Sequence, residues 1–202
     1  MGRSAAISYL FLRLSLKTRD AVADELVSMP LALKIALIAL AITAGLWDLR
    51  TRKIPNWLNL SGVVLGMGLN VLMLQGMGLK QSLLGLSLAL LVYLPLFSIR
   101  AMGAGDAKLM AAVGSIAGPH NWFLIFIVTA ILGGVASLAL VVARDRVLVT
   151  LQNLSTITSE LLHVRAPYRK NPSLDVRDKR SVGLPHGAVI AIGSVTVALL
   201  LT

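Results

Sequence analysis

The 202-residue chain contains no cysteine. That excludes disulfides, a thiolate nucleophile and a cysteine-ligated zinc site. Charge is scarce as well: Asp, Glu, Lys and Arg make up 14% of the residues, against roughly 25% in an ordinary soluble domain. Acids are the scarcest, nine against nineteen basic residues, which leaves a formal net charge of +10. The three histidines, His120, His163 and His186, are scattered and lack acidic companions, so no metal site is expected from them. There is no phosphate-binding glycine loop, and no serine–histidine–acid grouping can be inferred. A basic platform studded with aromatics, as single-stranded nucleic acid would need, is also missing. No nucleic-acid partner is expected, and no cofactor.

Apolar residues are what the chain has, at 56% of the total with a mean hydropathy of +0.82. A soluble fold would have to cover that excess with polar surface it does not possess, whereas lipid supplies an apolar surrounding. A bilayer-spanning helix takes about 20 mostly apolar residues. Stretches at 30–47, 57–74, 83–99, 122–143 and 184–201 qualify. The stretch 107–118 is shorter and rich in Gly and Ala; it would span poorly alone, and its small residues suit the inside of a bundle. The expected fold is therefore all-α, a polytopic membrane protein with a bundle of about six transmembrane helices. Pro95 is expected to kink the third.

The connections alternate in charge. Arg50, Arg52 and Lys53 follow the first span, Arg100 and Lys108 follow the third, and residues 144–183 hold eight basic residues. The connections between them hold Lys80 alone or nothing basic. The positive-inside rule places the basic ones in the cytoplasm and both chain ends outside. The basic excess reads as topology and contact with anionic membrane lipids. Residues 1–29 disagree, because Arg3, Arg13, Lys17 and Arg19 would favour the cytoplasm. Three readings of that basic segment stay open: an outside tail, an amphipathic surface helix, or a misassigned start with translation beginning at Met29. Residues 30–202 form the membrane domain. Within its basic connection 144–183, Val147, Leu151, Leu154, Thr158 and Leu161 recur at helical spacing and suggest an amphipathic surface helix.

Acids beside membrane spans are costly and usually have a role. Between residues 26 and 144 there are only two, Asp48 and Asp106, both at span ends on the same expected side. Two carboxylates within a few ångström share one proton. The ionised member can then activate water while the protonated one polarises a peptide carbonyl. The plainer reading makes them helix caps or partners of Arg50, Arg52 or Lys108.

The local sequence bears on that choice. Asp48-Leu49-Arg50-Thr51-Arg52-Lys53-Ile54-Pro55-Asn56 follows the first span, and Gly103-Ala104-Gly105-Asp106-Ala107-Lys108-Leu109 precedes the fourth. Together with Leu184-Pro185-His186-Gly187 before the last span, these resemble the signature regions of the type IV prepilin peptidases, within the GxGD class of membrane aspartic proteases. The resemblance implies a protease of the bacterial inner membrane whose active site faces the cytoplasm. Such an enzyme removes the basic leader of a prepilin before the pilus machinery assembles it. It places the catalytic pair at Asp48 and Asp106. The short chain and six spans look like the tight-adherence (Flp-type) members. Long members carry a four-cysteine zinc insertion and also methylate the new amino terminus; this chain has neither cysteine nor insertion, so peptidase activity alone is expected.

Around the two acids, Gly103 and Gly105 are expected to shape the site by letting the backbone turn and approach substrate. Arg50, Lys53 and Lys108 are candidates for tuning the local charge, although topology anchoring and snorkelling are their plainer roles. Asn56 suits a cap of the second span, and His186 stands near the expected site. Two other functions fit the same acids: a small ion or proton transporter, with both carboxylates near the bilayer midplane, and a non-catalytic scaffold for pilus assembly.

Overall fold

In the computed structural model, the described residues are 29–99, 102–144, 150 and 184–200. The basic segment 1–28, most of the connection 144–183 with its expected surface helix, His163, and Arg100 lie outside them. The described residues hold helices and no strand. These are α1 (Leu31–Thr51), α2 (Asn56–Ser98), α3 (Ala104–Ala143) and α4 (His186–Leu200). Three of them, α1 to α3, are long and apolar enough to cross a membrane; α4 is a shorter apolar helix.

The lengths of α2 and α3 explain their shapes. A straight 43-residue helix would reach about 65 Å, roughly twice the hydrocarbon thickness of a bilayer. Instead α2 breaks at Gln75, whose φ of 53° and ψ of −135° are not helical. The chain reverses there so sharply that Gly78 lies on the backbone carbonyl of Asn70, and any Cβ on Gly78 would collide with it. The 40-residue α3 breaks at Gly118, with φ 72° and ψ 172°, followed by Pro119. Glycine takes that left-handed φ freely, and proline suits the first position of the returning limb because its missing N–H has no partner to lose. The Trp122 indole N–H donates to the Met110 carbonyl at 3.1 Å, although 12 residues of straight helix would separate them by about 18 Å. Both long helices are thus hairpins, with limbs at 56–74 and 76–98, and at 104–117 and 119–143.

Five apolar runs of the sequence fall on α1 and these four limbs, and the sixth falls on α4. The boundaries differ, most clearly in three places. The expected connection at 75–82 is mostly helix, because the reversal takes a single residue and Ser82 is already buried against Ser115, their hydroxyls 2.9 Å apart. Helix α1 runs on past Asp48 to Thr51 and ends at Arg52, which is left-handed at φ 54° and donates its N–H to the Asp48 carbonyl. Asn56 is the first residue of α2 rather than its cap; Pro55 holds the cap position, with no side-chain bond there.

The two hairpins interlock through small residues. Gly85 and Gly114 meet backbone to backbone, and Gly66 faces Ser115 and Ile116. The Gly/Ala-rich limb 104–117, weakest by hydropathy, is the most enclosed: Leu109, Met110, Ala112, Val113 and Ser115 are fully buried. Its final carbonyls are orphaned by the break at Gly118 and the proline behind it. The Asn70 side-chain amide takes them up, reaching the Ser115 carbonyl at 3.0 Å, the Ile116 carbonyl at 3.1 Å and its own Gly66 carbonyl at 2.9 Å. Ser115 adds a bond from its hydroxyl to the Val63 carbonyl. Irregular backbone inside a membrane needs this kind of internal satisfaction.

Outward, the surface is apolar: Leu72, Leu91, Leu31 and Leu138 are among the most exposed side chains. An apolar surface this extensive suits lipid, not water.

One buried amide has no partner. Both ends of Asn59 are enclosed and unbonded, in contrast to Asn70. An unsatisfied buried polar group costs about 1–3 kcal/mol. Asn59→Ala, which removes the amide without adding bulk and suits a helix, should therefore raise the midpoint of thermal unfolding in detergent; an unchanged or lower midpoint would count against an unsatisfied amide.

Candidate active site

Four chain segments converge at one end of the bundle: the end of α1, the turn 52–55 into α2, the start of α3 and the start of α4. Asp48 lies on the last full turn of α1 and is buried at 6% exposure. Asp106 lies in the first turn of α3 and is half-buried. The two carboxylates, 58 residues apart in number, are within electrostatic reach of each other.

Each acid is held by backbone. The Gly103 backbone bonds the Asp106 carboxylate, the reach of a third-position acid back to its helix start. A Cβ on Gly103 would lie 3.2 Å from Asp106 Oδ2, so this glycine keeps room for the carboxylate. Neither Gly103 nor Gly105 has a positive φ; a tight turn is not why they are glycine. Gly105 faces Ile54, where a Cβ would make an ordinary 3.5 Å contact.

Asp48 is met by the last helix. The Ala188 backbone N–H, in the first turn of α4, donates to Asp48 Oδ2 at 3.3 Å. Gly187 beside it packs onto the same side chain. His186, at the start of α4, is in electrostatic reach of Asp48 and also faces Gly133 of the returning limb of α3. Ile54 is buried and wedged between Gly187 and Gly105, which ties the turn after α1 to the starts of both α3 and α4.

The remaining expected residues sit farther out. Arg50 and Lys53 are exposed at the end of α1 and in the turn after it. Lys108 is exposed and donates from Nζ to Asn56 Oδ1 at 2.9 Å, a link between the starts of α3 and α2 in place of free snorkelling. Trp47 and Trp57, partly exposed and packed edge to face with ring centres 5.9 Å apart, flank the same end. Paired tryptophans at that level suit a membrane interface.

Two contributors escaped the sequence reading. Tyr93 is buried, within electrostatic reach of Asp106, and steadied by edge-on contacts with Trp122 and Phe126, which stack on each other at 5.5 Å. Its signal was a lone tyrosine deep in an apolar run. The Ala188 N–H carries no side-chain signal at all. Among the described residues there is no cluster of His, Asp and Glu suited to a metal ion.

The profile of the type IV leader peptidase family matches residues 35–138, just over half of the chain. The chain belongs to the type IV leader peptidase family. Its matched stretch takes in α1 from Ile35, all of α2 and most of α3, and with them both Asp48 and Asp106. It stops short of α4. No curated protein and no solved structure matches the chain. The two acids lie near each other at the end of a helical bundle, each oriented by a backbone donor, an arrangement in which two carboxyl groups can share a proton.

Proposed function

We propose that this leader peptidase is an aspartic endopeptidase that removes the basic leader of Flp-like type IV prepilins, with Asp48 and Asp106 as its catalytic pair. The observation that carries this is the convergence of those two acids, distant in sequence, within reach of one another at a single end of the bundle. A transporter with ion ligands at the bilayer midplane would want them halfway along their helices, and they are not there.

One carboxylate, ionised, takes a proton from a water molecule as its oxygen attacks the scissile carbonyl carbon. The other, protonated, donates to the carbonyl oxygen. Collapse of the tetrahedral species reforms the carbonyl, breaks the C–N bond and hands a proton to the departing amine. Water is consumed, and neither metal nor covalent intermediate is required. The substrate's apolar helix lies in the membrane beside the bundle, and its basic leader reaches the acids from the cytoplasm. Methyl transfer to the new amino terminus is not part of the activity, since the resemblance assigns it to long members with a four-cysteine insertion.

Helix α1, the four limbs and α4 form a six-pass bundle in the bacterial inner membrane, with the acid-bearing end in the cytoplasm and the pilus assembly machinery as the eventual receiver of the product. Among the described residues, Arg50, Arg52, Lys53, Lys108 and Arg144 lie at that end and only Lys34 and Lys80 towards the other, as the positive-inside rule would have it. The natural absence of cysteine makes the orientation easy to test. Lys80→Cys should react with a membrane-impermeant maleimide added to intact spheroplasts, and Lys53→Cys only after permeabilisation; the reverse pattern would turn the protein over. Co-expression with a protein bearing a basic leader ahead of one apolar helix tests the activity. A mature product with an unmethylated amino terminus is expected; an uncleaved precursor would reject the reading.

A further inference from the structure

The profile of the family ends at residue 138, yet the fold brings a later element onto Asp48. We propose that the first turn of α4 is a positioning part of the active site, in which the bare Cα of Gly187 lets the Ala188 N–H reach and orient the Asp48 carboxylate. This rests on the reading of Asp48 as a catalytic acid.

The geometry is specific. A Cβ on Gly187 would lie 2.9 Å from Ile54 Cδ1 and 3.0 Å from both Cβ and Cγ of Asp48. Ordinary carbon contacts need about 3.5–4.0 Å. The Ile54 methyl is the far end of a flexible side chain and can swing aside. Asp48 has no such freedom at Cβ, so an added methyl must move the acid or the helix. Either movement stretches the 3.3 Å bond from Ala188. The approach of α4 is fixed from behind as well. Gly45, one turn before Asp48 on α1, has Ala191 across from it at a distance only glycine allows, with Ala188 Cα and the Gly187 carbonyl at its edge. Two glycines on facing helices thus bring the start of α4 against α1, and its amino-terminal backbone dipole points at the carboxylate. That contact restrains one acid while Gly103 restrains the other. A pair that must meet substrate and water together gains from having both members fixed, because a misplacement of about 1 Å can cost on the order of a hundredfold in rate.

The test compares four full-length enzymes in lipid vesicles, acting on a tagged protein with a basic leader ahead of one apolar helix: wild type, Gly187→Ala, the double variant Gly187→Ala/Ile54→Val, and Gly133→Ala. Ile54→Val removes the Cδ1 methyl and its collision, leaving the collision with Asp48 in place. The double variant should insert and accumulate like wild type, so it keeps the test valid should Gly187→Ala alone fail to fold. Both Gly187 variants should lose kcat by roughly 10- to 100-fold, with KM within about twofold. Gly133→Ala adds a methyl on the other side of the same turn, where the nearest atoms are His186 Cε1 at 3.6 Å and Val189 Cγ1 at 3.7 Å, and should cleave like wild type. A double variant with kcat within about twofold of wild type would overturn the proposal, as would an equal loss in Gly133→Ala. Asp48→Asn run alongside separates the two levels. If it is inactive while the double variant cleaves normally, only the role of α4 falls; if Asp48→Asn cleaves normally, the assignment of the acid falls and the role of α4 with it.

Discussion

Asp48→Asn and Asp106→Asn should each lower kcat for leader removal by roughly a thousandfold or more, about 4 kcal/mol of transition-state stabilisation, while leaving the enzyme folded in the membrane. The substitution keeps the size and planar shape of the side chain and removes only its ability to take up and release a proton. At position 48 the asparagine oxygen still accepts from the Ala188 N–H, so the packing of α4 on α1 survives. At position 106 the amide still has the Gly103 backbone beside it. The expected signature is therefore a fall in kcat with little change in KM and an unchanged yield of inserted protein. The double variant should be no worse than either single one, because the two acids act as a unit and the first loss disables both. Processing at the wild-type rate by either single variant would remove that residue from the chemistry.

Gly85→Ala should be among the most damaging single methyls at the described glycines. Gly85 sits where limb 76–98 crosses limb 104–117, and its Cβ would land on the Gly114 carbonyl oxygen. Gly114 faces the Gly85 carbonyl in return. Both obstacles are backbone, so no side chain can swing away; the limbs themselves must part. Parting them would pull at the Ser82–Ser115 contact and the Asn70 bonds next door. Overpacking a tight interior costs about 1–3 kcal/mol and occasionally more, and this site belongs at the upper end. Most of the variant should fail to accumulate as folded protein, read as protease-resistant material after detergent extraction. Gly68→Ala provides the contrast on the other limb of the same hairpin. Nothing lies within 4 Å of its Cβ position, so the exchange should be neutral or gain the roughly 1 kcal/mol that alanine holds over glycine in a helix. Equal yields of the two variants would mean that the hairpins do not cross at Gly85.

Much of this architecture was legible in the sequence because lipid is an unforgiving solvent. Runs of apolar residues at 30–47, 57–74 and 122–143 fall on helical limbs since any other backbone there would leave its polar groups bare. The Gly/Ala stretch at 107–118 read correctly as an inner limb, small residues being what close packing needs. The reversal at Gln75 was not legible as a single-residue break: Gln75, Gly76 and Gly78 look like loop, and only the contact of Gly78 with Asn70 reveals that the helix restarts at once. The acids were legible because a charge in an apolar run stands out. What restrains them was legible only in part: Gly103 and Gly187 stood out within their motifs, but not the contacts they make. Ala188 acts through its backbone and carries no signal without the partner 140 residues earlier. Lys108 shows the opposite failure, a conspicuous charge whose partner turned out to be the neutral Asn56.

The Asn70 amide also bears on how the protein is made. The carbonyls it serves belong to Ser115 and Ile116, 45 and 46 residues farther along the chain. A ribosome delivers the first hairpin long before they exist, so for that interval a carboxamide stands in the acyl chains with only the Gly66 carbonyl for company. The second hairpin, for its part, arrives with the frayed end of a helix that nothing of its own can cover. Each piece is poorly suited to lipid until the other is beside it, which ties their release from the insertion machinery to one joint event and sets a penalty on any nascent chain that stalls between them.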